Sequence, residues 1–540
     1  MAATAHADTF VRDNLPPPDA WPPLVFDLPE LRYPDRLNCT VELLDRGARR
    51  HPERPCIRAP GVVWTYGQLL EHSNRIAHVL VRDMGLVPGN RVLLRSANTP
   101  MLVAAWFAVL RAGGVVVATM PLLRARELVP IIEKARISHA LADARLSAEL
   151  EDARAAAPVL RRIAYWGEGG ELERLAATHP ADFDPVNTSS DDPALVAFTS
   201  GTTGEPKGCV HFHRDVLAIC DTFAAHVLRA DPDDLFAGSP PLAFTYGLGG
   251  LVAFPMRIGA SSLLLERASP DLLLAAVAEF GVRVLFTSPT AYRALAALWR
   301  QHRPRHLYKC VSAGEPLPAS TRNQWKEVSG VEIIDGIGST EMLHIFVSHR
   351  EEEARPGAIG RAVPGYQARL LDERGDVLPP GRVGRLAVRG PTGCRYLADA
   401  RQRQYVQHGW NVTGDACLLD EDGYFHFQAR TDDLIISAGY NIAPPEVEDT
   451  LLEHPAVAEC GVAGVPDPER GQVVKAYVVL RADFEPSEDL RQELQGFVKR
   501  RIAPYKYPRA IEFCSELPRT LTGKLQRHVL REREAGEVRP

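Results

Sequence analysis

The chain has 540 residues, of which 45% are hydrophobic and 24% charged, and carries a formal net charge of -6. One hydrophobic core stops growing at roughly 250–300 residues, so at least two domains are expected, and the mildly acidic balance excludes a dedicated nucleic-acid or anionic-membrane surface. The nine cysteines (Cys39, Cys56, Cys209, Cys220, Cys310, Cys394, Cys417, Cys460 and Cys514) are odd in number and never spaced CxxC, which excludes a disulfide framework and a structural zinc site and reads as free thiols in a reducing cytoplasm.

Asp8, Arg12 and Asp13 stand where a secretory signal needs an unbroken apolar run, so no export signal is expected. The most apolar segment, 101–110, is stopped by Arg111, Gly113 and Gly114. It falls short of the roughly 20 residues that span a bilayer and is read as a buried helix. Short β-branched runs ending in Gly, Ser, Thr or Pro and followed by amphipathic stretches predict strands over 91–95, 194–198, 282–286, 308–312 and 331–335, the rhythm of α/β layers. Ser288 followed by Pro289 is a helix start, an N-cap with proline at the first helical position. Ligands of open α/β sheets bind beyond the carboxyl ends of strands, so the loops at Ser200, Gly314 and Gly338 are expected to converge on one crevice. After Arg430 the pattern changes to a strand over 434–437, a Gly-Tyr-Asn turn, a helix opening at Pro444 and another over 488–501. The expected fold is α/β, with a large N-terminal domain of layered subdomains (1–431) and a small α+β C-terminal domain (432–540).

The densest chemistry lies in Thr199-Ser200-Gly201-Thr202-Thr203-Gly204-Glu205-Pro206-Lys207-Gly208. Glycines let backbone N–H groups face a phosphate, the hydroxyls add donors, and Lys207 adds a point charge, so the loop reads as a triphosphate cradle. It is not the GxxxxGK[ST] pattern, because Pro206 occupies the fifth place after Gly201 and a strand over 209–212 follows. His211 and His213, with no carboxylate partner in view, are read as ordinary strand histidines.

This loop resembles the signature of the adenylate-forming superfamily of acyl-CoA synthetases, peptide-synthetase adenylation domains and luciferases, and the resemblance runs from about Asn38 to Leu530. It implies that Thr199, Ser200, Gly201, Thr202, Thr203, Gly204 and Lys207 hold the ATP phosphates, and that Gly314, Glu315 and Pro316 lie along adenine with Asp335, Gly336 and Ile337. In Gly336-Ile337-Gly338-Ser339-Thr340-Glu341, Thr340 would meet the α-phosphate and Glu341 would hold Mg²⁺. A single glutamate beside phosphate oxygens is chemically sufficient for that ion. Val412-Thr413-Gly414-Asp415 resembles the ribose site, with Asp415 on the sugar hydroxyls and Arg430 beside it. Asp432 matches the hinge of a mobile C-terminal domain, Ser437, Gly439 and Tyr440 its coenzyme A turn, and Lys524 in Pro518-Arg519-Thr520-Leu521-Thr522-Gly523-Lys524 the lysine that enters the site during adenylation. Departures are Ile337 in place of an adenine-stacking aromatic, Asn441 for an arginine, Ala429 for a glycine and Arg519 for a lysine.

Residues 335–346 (DGIGSTEMLHIF) and 242–250 (LAFTYGLGG) resemble the benzoate-CoA ligase branch, and most of all its 2-aminobenzoate-CoA ligases. Phe244, Tyr246, Gly247 and Gly338 would form a flat slot for a ring, with His344 and Tyr246 offering a hydrogen bond to the carboxylate or an ortho substituent. The implied activity is an ATP-dependent, AMP-forming aryl-CoA ligase with ATP, Mg²⁺ and coenzyme A, a small aromatic acid as substrate, no nucleic-acid or membrane partner, a cytoplasmic location, and a homodimer left open. Two alternatives stand beside it: loading of a carrier-protein phosphopantetheine, and a non-catalytic nucleotide-binding regulator.

Overall fold

A computed structural model describes residues 3–199, 205–437, 440–467, 470–520 and 525–535, with only the backbone of Asp432, Tyr440, Asn441, Glu534 and Ala535. Two mainly parallel sheets and a third, antiparallel one make the large domain. The first has six strands in the order Arg162–Trp166, His139–Asp143, Arg91–Arg95, Val115–Thr119, Pro193–Thr199 and Lys207–Phe212; the last is antiparallel. Its central runs, Arg-Val-Leu-Leu-Arg and Val-Val-Val-Ala-Thr, are almost wholly buried, as expected of strands covered on both faces. Even Arg95 is inside, its guanidinium donating to the carbonyls of Met120, Pro121 and Leu123 at 2.7–2.9 Å. A buried charge here ties a loop to the end of a strand.

The second sheet has nine strands, in which Ile333–Gly338, Lys309–Ala313, Val284–Thr287, Leu235–Gly238, Ser261–Leu263 and Pro55–Ala59 run parallel and antiparallel strands close both edges. The helix Pro100–Arg111 begins at an N-cap, Thr99, whose hydroxyl accepts from Leu102 N, and is buried from Leu102 onward. Ser288 does the same for Pro289–His302, accepting from Ala291 N. A third, antiparallel sheet holds Gln367–Leu371, Val383–Arg389, Val406–Gln407, Trp410–Leu419 and Phe425–Arg430. One expectation is corrected: His211 is on a strand, but His213 opens the helix His213–Ile219, and Asp215 gives His211 the carboxylate neighbour that the sequence did not suggest.

The smaller domain has its own five-stranded sheet, built around the hairpin Val457–Asp467 and Gly471–Leu480 and joined by Ile435–Ser437, Tyr440–Ile442 and Ala510–Phe513. Ile435, Val447, Leu451, Val474, Val478, Leu494 and Val498 form its separate core with the helices Pro444–Leu452 and Glu488–Arg501. The helix Pro444–Leu452 also lies against Ala319–Ser329 and Phe425–Arg430 of the larger domain.

Candidate active site

Thr199 and Lys207 are register partners across an antiparallel pair, so the two ends of the glycine-rich loop leave adjacent strands side by side. Residues 200–204, which include Ser200, Gly201, Thr202, Thr203 and Gly204, lie outside the described residues. The stem is held from outside. Lys134 Nζ donates to Pro206 O at 3.0 Å and pairs with Asp399 at 2.6 Å, while Arg401 donates to Glu205 O at 3.2 Å. Lys207 Nζ stands 5.4 Å above the ring of Tyr396.

From the neighbouring sheet, Ile333–Gly338 runs into a tight turn in which Ser339 Oγ accepts from Met342 N and Leu343 takes a positive φ of 69°. Glu341 is buried, and Tyr396 donates its phenol to Glu341 Oε1 at 2.5 Å. Tyr405 meets Ser339 through their hydroxyls at 3.1 Å. His211 Nε2 lies 2.8 Å from Thr340 O, which requires a proton on that nitrogen, and joins the strand after the phosphate loop to the turn carrying Thr340 and Glu341. The two sheets therefore meet where their chemistry-bearing loops end.

Gly314 has a φ of 93°, and Glu315 is engaged by Thr290 N and Oγ1 at 3.3 and 2.7 Å, at the start of the helix Pro289–His302. Pro316 follows directly. Asp335 is buried, with backbone atoms tied to His349 Nε2 and Ser348 Oγ, and its Oδ1 has no hydrogen-bond partner among the described residues. Burial pushes its carboxyl up to about 7, against the opposing pull of Arg322. An unpartnered acceptor of this kind fits an exocyclic amine such as that of adenine. Ile337 packs on the core beside it, and at Gly338 a Cβ would fall 2.6 Å from His344 O, so the hairpin needs glycine there. Gly336 is similarly close to Ile345.

Thr413, Gly414 and Asp415 sit at an irregularity in Trp410–Leu419, with Gly414 at φ 78°. Asp415 and Arg430 are cross-strand partners, and Arg430 Nη1 donates to Asp415 Oδ1 at 2.8 Å and Thr413 O at 2.9 Å.

The suggested acid slot is rearranged in detail. Tyr246 does not offer a free donor, because its hydroxyl points to Val311 O at 3.0 Å and Thr287 O at 3.2 Å. Gly247 does not open space for a ring, since its missing Cβ would lie 2.2 Å from Pro241 O. That glycine serves backbone packing. Gly249 and Gly250 make room for the protein's own rings: a Cβ at Gly249 would sit 2.4 Å from His344 Cδ2, and one at Gly250 would strike Phe286. His344 is buried among Tyr246, Phe254 and Phe223, at ring-centroid distances of 5.6, 4.6 and 5.6 Å. Neither of its ring nitrogens has a hydrogen-bond partner among the described residues. Burial lowers its pKa to about 3, so the imidazole is neutral. Phe244, half-buried, precedes the turn Thr245–Leu248 and lies outside the packed core clusters of the described residues.

In the smaller domain Ser437 is buried at the end of its strand. Tyr440 opens the next strand, while Gly439 and Lys524 lie outside the described residues. Asp432 falls in the short turn Thr431–Asp433 that leaves the last strand of the large domain, and Arg531 pairs with the adjoining Asp433. Sequence reasoning missed Tyr396, Tyr405 and Gly249, and the bond from His211 to Thr340. Tyr396 and Tyr405 lie in a stretch with no glycine-rich or charge-spaced signature, and only the sheet packing brings them to Glu341.

Among the described residues no group of three or more His, Cys, Asp or Glu side chains could hold a metal by itself. Glu341, joined through Tyr396 to Lys207 at the stem of the glycine-rich loop, suits a divalent ion that takes its remaining ligands from phosphate oxygens and water. Such a site activates a carboxylate with a nucleotide. Residues 44–396 match the AMP-binding enzyme family model and residues 446–524 the AMP-binding enzyme C-terminal domain. The benzoate–CoA ligase of Thauera aromatica is 33% identical over 93% of this chain and 97% of its own length. The structure of the anthranilate CoA ligase AuaEII in complex with anthranoyl-AMP superposes with a TM-score of 0.90 at 32% identity, covering 95% of this chain and 100% of that one. A benzoate CoA ligase from Burkholderia xenovorans LB400 gives 0.85 at 33%, covering 92% and 100%. The chain belongs to the AMP-binding enzyme family, the adenylate-forming superfamily, in its benzoate-CoA ligase branch. It is an AMP-forming CoA ligase that uses ATP, Mg²⁺ and coenzyme A. No helix among the described residues is long and apolar enough to cross a membrane.

Proposed function

We propose that this ligase activates a small aromatic carboxylic acid of the benzoate type, with an ortho substituent such as an amine or hydroxyl, and transfers the aryl group to free coenzyme A. The observation that carries the reading is His344: a neutral, unpartnered imidazole in an aromatic cage, directly after the turn that bears Thr340 and Glu341. Flat aromatic walls favour a ring over a flexible chain, and an unpaired buried nitrogen favours a substrate that supplies its partner. The anthranilate and benzoate ligases named above support the same class of acid.

In the proposed reaction a carboxylate oxygen attacks the α-phosphorus of ATP and pyrophosphate leaves; the thiol of coenzyme A then attacks the acyl carbon and AMP leaves. Both partners of the first step are anionic, so the protein's task is alignment and neutralisation. Residues 199–204 and Lys207 would cradle the phosphates, Thr340 would contact the α-phosphate, and Lys524 would enter from the smaller domain. Asp335 would accept from the adenine amine, Asp415 would accept from the ribose hydroxyls, and Arg430 would steady Asp415. Magnesium bound at Glu341 would supply charge neutralisation at the phosphates. Rotation about Asp432 would then exchange Lys524 for the turn at Ser437, Gly439 and Tyr440, which would admit the pantetheine. A cytoplasmic location accords with nine free cysteines, seven of them buried.

A second reading, in which the acid is not aromatic, has its own observation: the rat mitochondrial acyl-coenzyme A synthetase ACSM4 is 30% identical over 96% of this chain. A panel of ring-substituted benzoates, cinnamates and aliphatic acids, with free coenzyme A or a carrier protein as acceptor, separates these readings. Highest kcat/KM for an ortho-substituted benzoate with free coenzyme A is expected. Preference for an aliphatic acid would overturn the aromatic reading.

A further inference from the structure

We infer that Tyr396 is a positioning residue for the metal-binding carboxylate, holding Glu341 in place through its phenol while its ring seats Lys207. The inference rests on the reading of Glu341 as the magnesium ligand.

Three independent contacts place this tyrosine. Its hydroxyl donates to Glu341 Oε1 at 2.5 Å, a charge-assisted bond made where both side chains are buried. Its ring lies 5.4 Å beneath Lys207 Nζ, the cation at the end of the phosphate-loop stem. Its backbone forms an isolated antiparallel bridge to Cys209, two residues beyond Lys207. One side chain thus touches the two charged groups expected to face the phosphates, and these come from different sheets.

The support behind Tyr396 is rigid. Gln402 Oε1 accepts from Tyr396 N at 2.9 Å, and Gln402 Nε2 donates to Cys394 O at 3.0 Å and Ala20 O at 2.9 Å. Tyr405 packs edge-on at 5.9 Å between ring centroids and reaches Ser339 from the other side. A carboxylate that accepts one fixed bond keeps a single rotamer, leaving its remaining lone pairs aimed at the ion; without that bond, the ion must order the side chain as it binds.

Equilibrium binding of ATP, measured calorimetrically without acid or coenzyme A, tests this in magnesium and in EDTA. The ratio of the two affinities is the readout. Tyr396→Phe keeps the ring beneath Lys207 and is expected to lower the ratio about fivefold to tenfold by weakening only the magnesium arm. Glu341→Gln should abolish the magnesium preference, and the double variant should match Glu341→Gln alone, because the two changes act on one interaction. A Tyr396→Phe ratio within twofold of wild type, with Glu341→Gln still losing its preference, would overturn the inference and leave the metal reading intact. An unchanged ratio in Glu341→Gln would remove the metal reading itself. If Tyr396→Phe does not fold, the tyrosine ultraviolet difference spectrum of the wild-type ATP complex on adding magnesium decides: a shift absent from Glu341→Gln supports the inference, and no shift overturns it.

Discussion

Arg430 and Asp415 face each other as register partners on adjacent antiparallel strands, and the same guanidinium nitrogen that donates to the Asp415 carboxylate also donates to the carbonyl of Thr413. The cation therefore fixes both the side chain and the backbone irregularity at Gly414, where φ is positive and a Cβ would lie 2.7 Å from Arg430 Nη2.

Arg430→Ala is expected to weaken ATP about tenfold while shifting Tm by no more than about 2 °C. The guanidinium side chain is 49% exposed, and exposed ion pairs contribute about 1 kcal/mol or less to stability. Asp415→Ala should cost more, about a hundredfold in kcat/KM for ATP, because the proposed acceptor for the two sugar hydroxyls is lost. KM for ATP and a thermal melt check both. A large drop in Tm with an unchanged KM would make the pair merely structural.

With the adenine amine as its proposed partner, the Asp335 carboxyl would link nucleotide binding to pH. Its folded pKa is raised by burial to about 7, above an unfolded value of about 3.9. Its stabilising protonated form is fully present below the unfolded value and is lost as pH rises through the folded one, so it costs the free protein a few kcal/mol between about pH 4 and 7. A donor arriving at the unpartnered oxygen favours the charged form. ATP binding near pH 6.5 should therefore release a fraction of a proton, visible as a dependence of calorimetric enthalpy on buffer ionisation. Asp335→Asn should abolish that release, and proton release persisting in this variant would assign it to another group.

Tyr246 and His344 should respond differently to substitution. Tyr246→Phe leaves the carbonyls of Thr287 and Val311 without this donor. We expect about 1–2 kcal/mol of lost stability and an unchanged ranking of acids. His344→Ala should reorder ortho-substituted benzoates by tenfold or more in kcat/KM with ATP affinity unaltered, since a mispaired buried group discriminates strongly. Equal losses for every acid in His344→Ala would indicate a packing role alone.

Two half-reactions should separate genetically. Lys524→Ala is expected to slow adenylate formation about a thousandfold, because a cation at an anionic transition state is lost, while thioester formation from supplied aryl-AMP stays within a few-fold. Gly439→Trp should do the reverse by obstructing the pantetheine path. Single-turnover assays of each step decide, and equal impairment of both by Lys524→Ala would rule out one mobile domain serving the two chemistries.

Local sequence was enough for much of this protein. Ser288 before Pro289 starts a helix as those residue types favour, and the buried parallel strand 91–95 shows as the apolar run Val92-Leu93-Leu94 between two arginines. Those signals are set by covalent neighbours and survive being read in one dimension. The segments proposed to meet the acid were legible in the same way, but the pairing of their atoms was not. Whether the Tyr246 hydroxyl is free depends on the carbonyls of Thr287 and Val311, more than 40 residues away. Which glycine makes room for His344 depends on the path of a separate hairpin. Tyr396 carries no motif at all and meets Glu341 only because two sheets abut, with His211 bonded to Thr340 across their junction. Sequence determined the chemistry each loop brings; tertiary packing decided which groups are already paired, which are left with open valences, and so which remain for a ligand to satisfy.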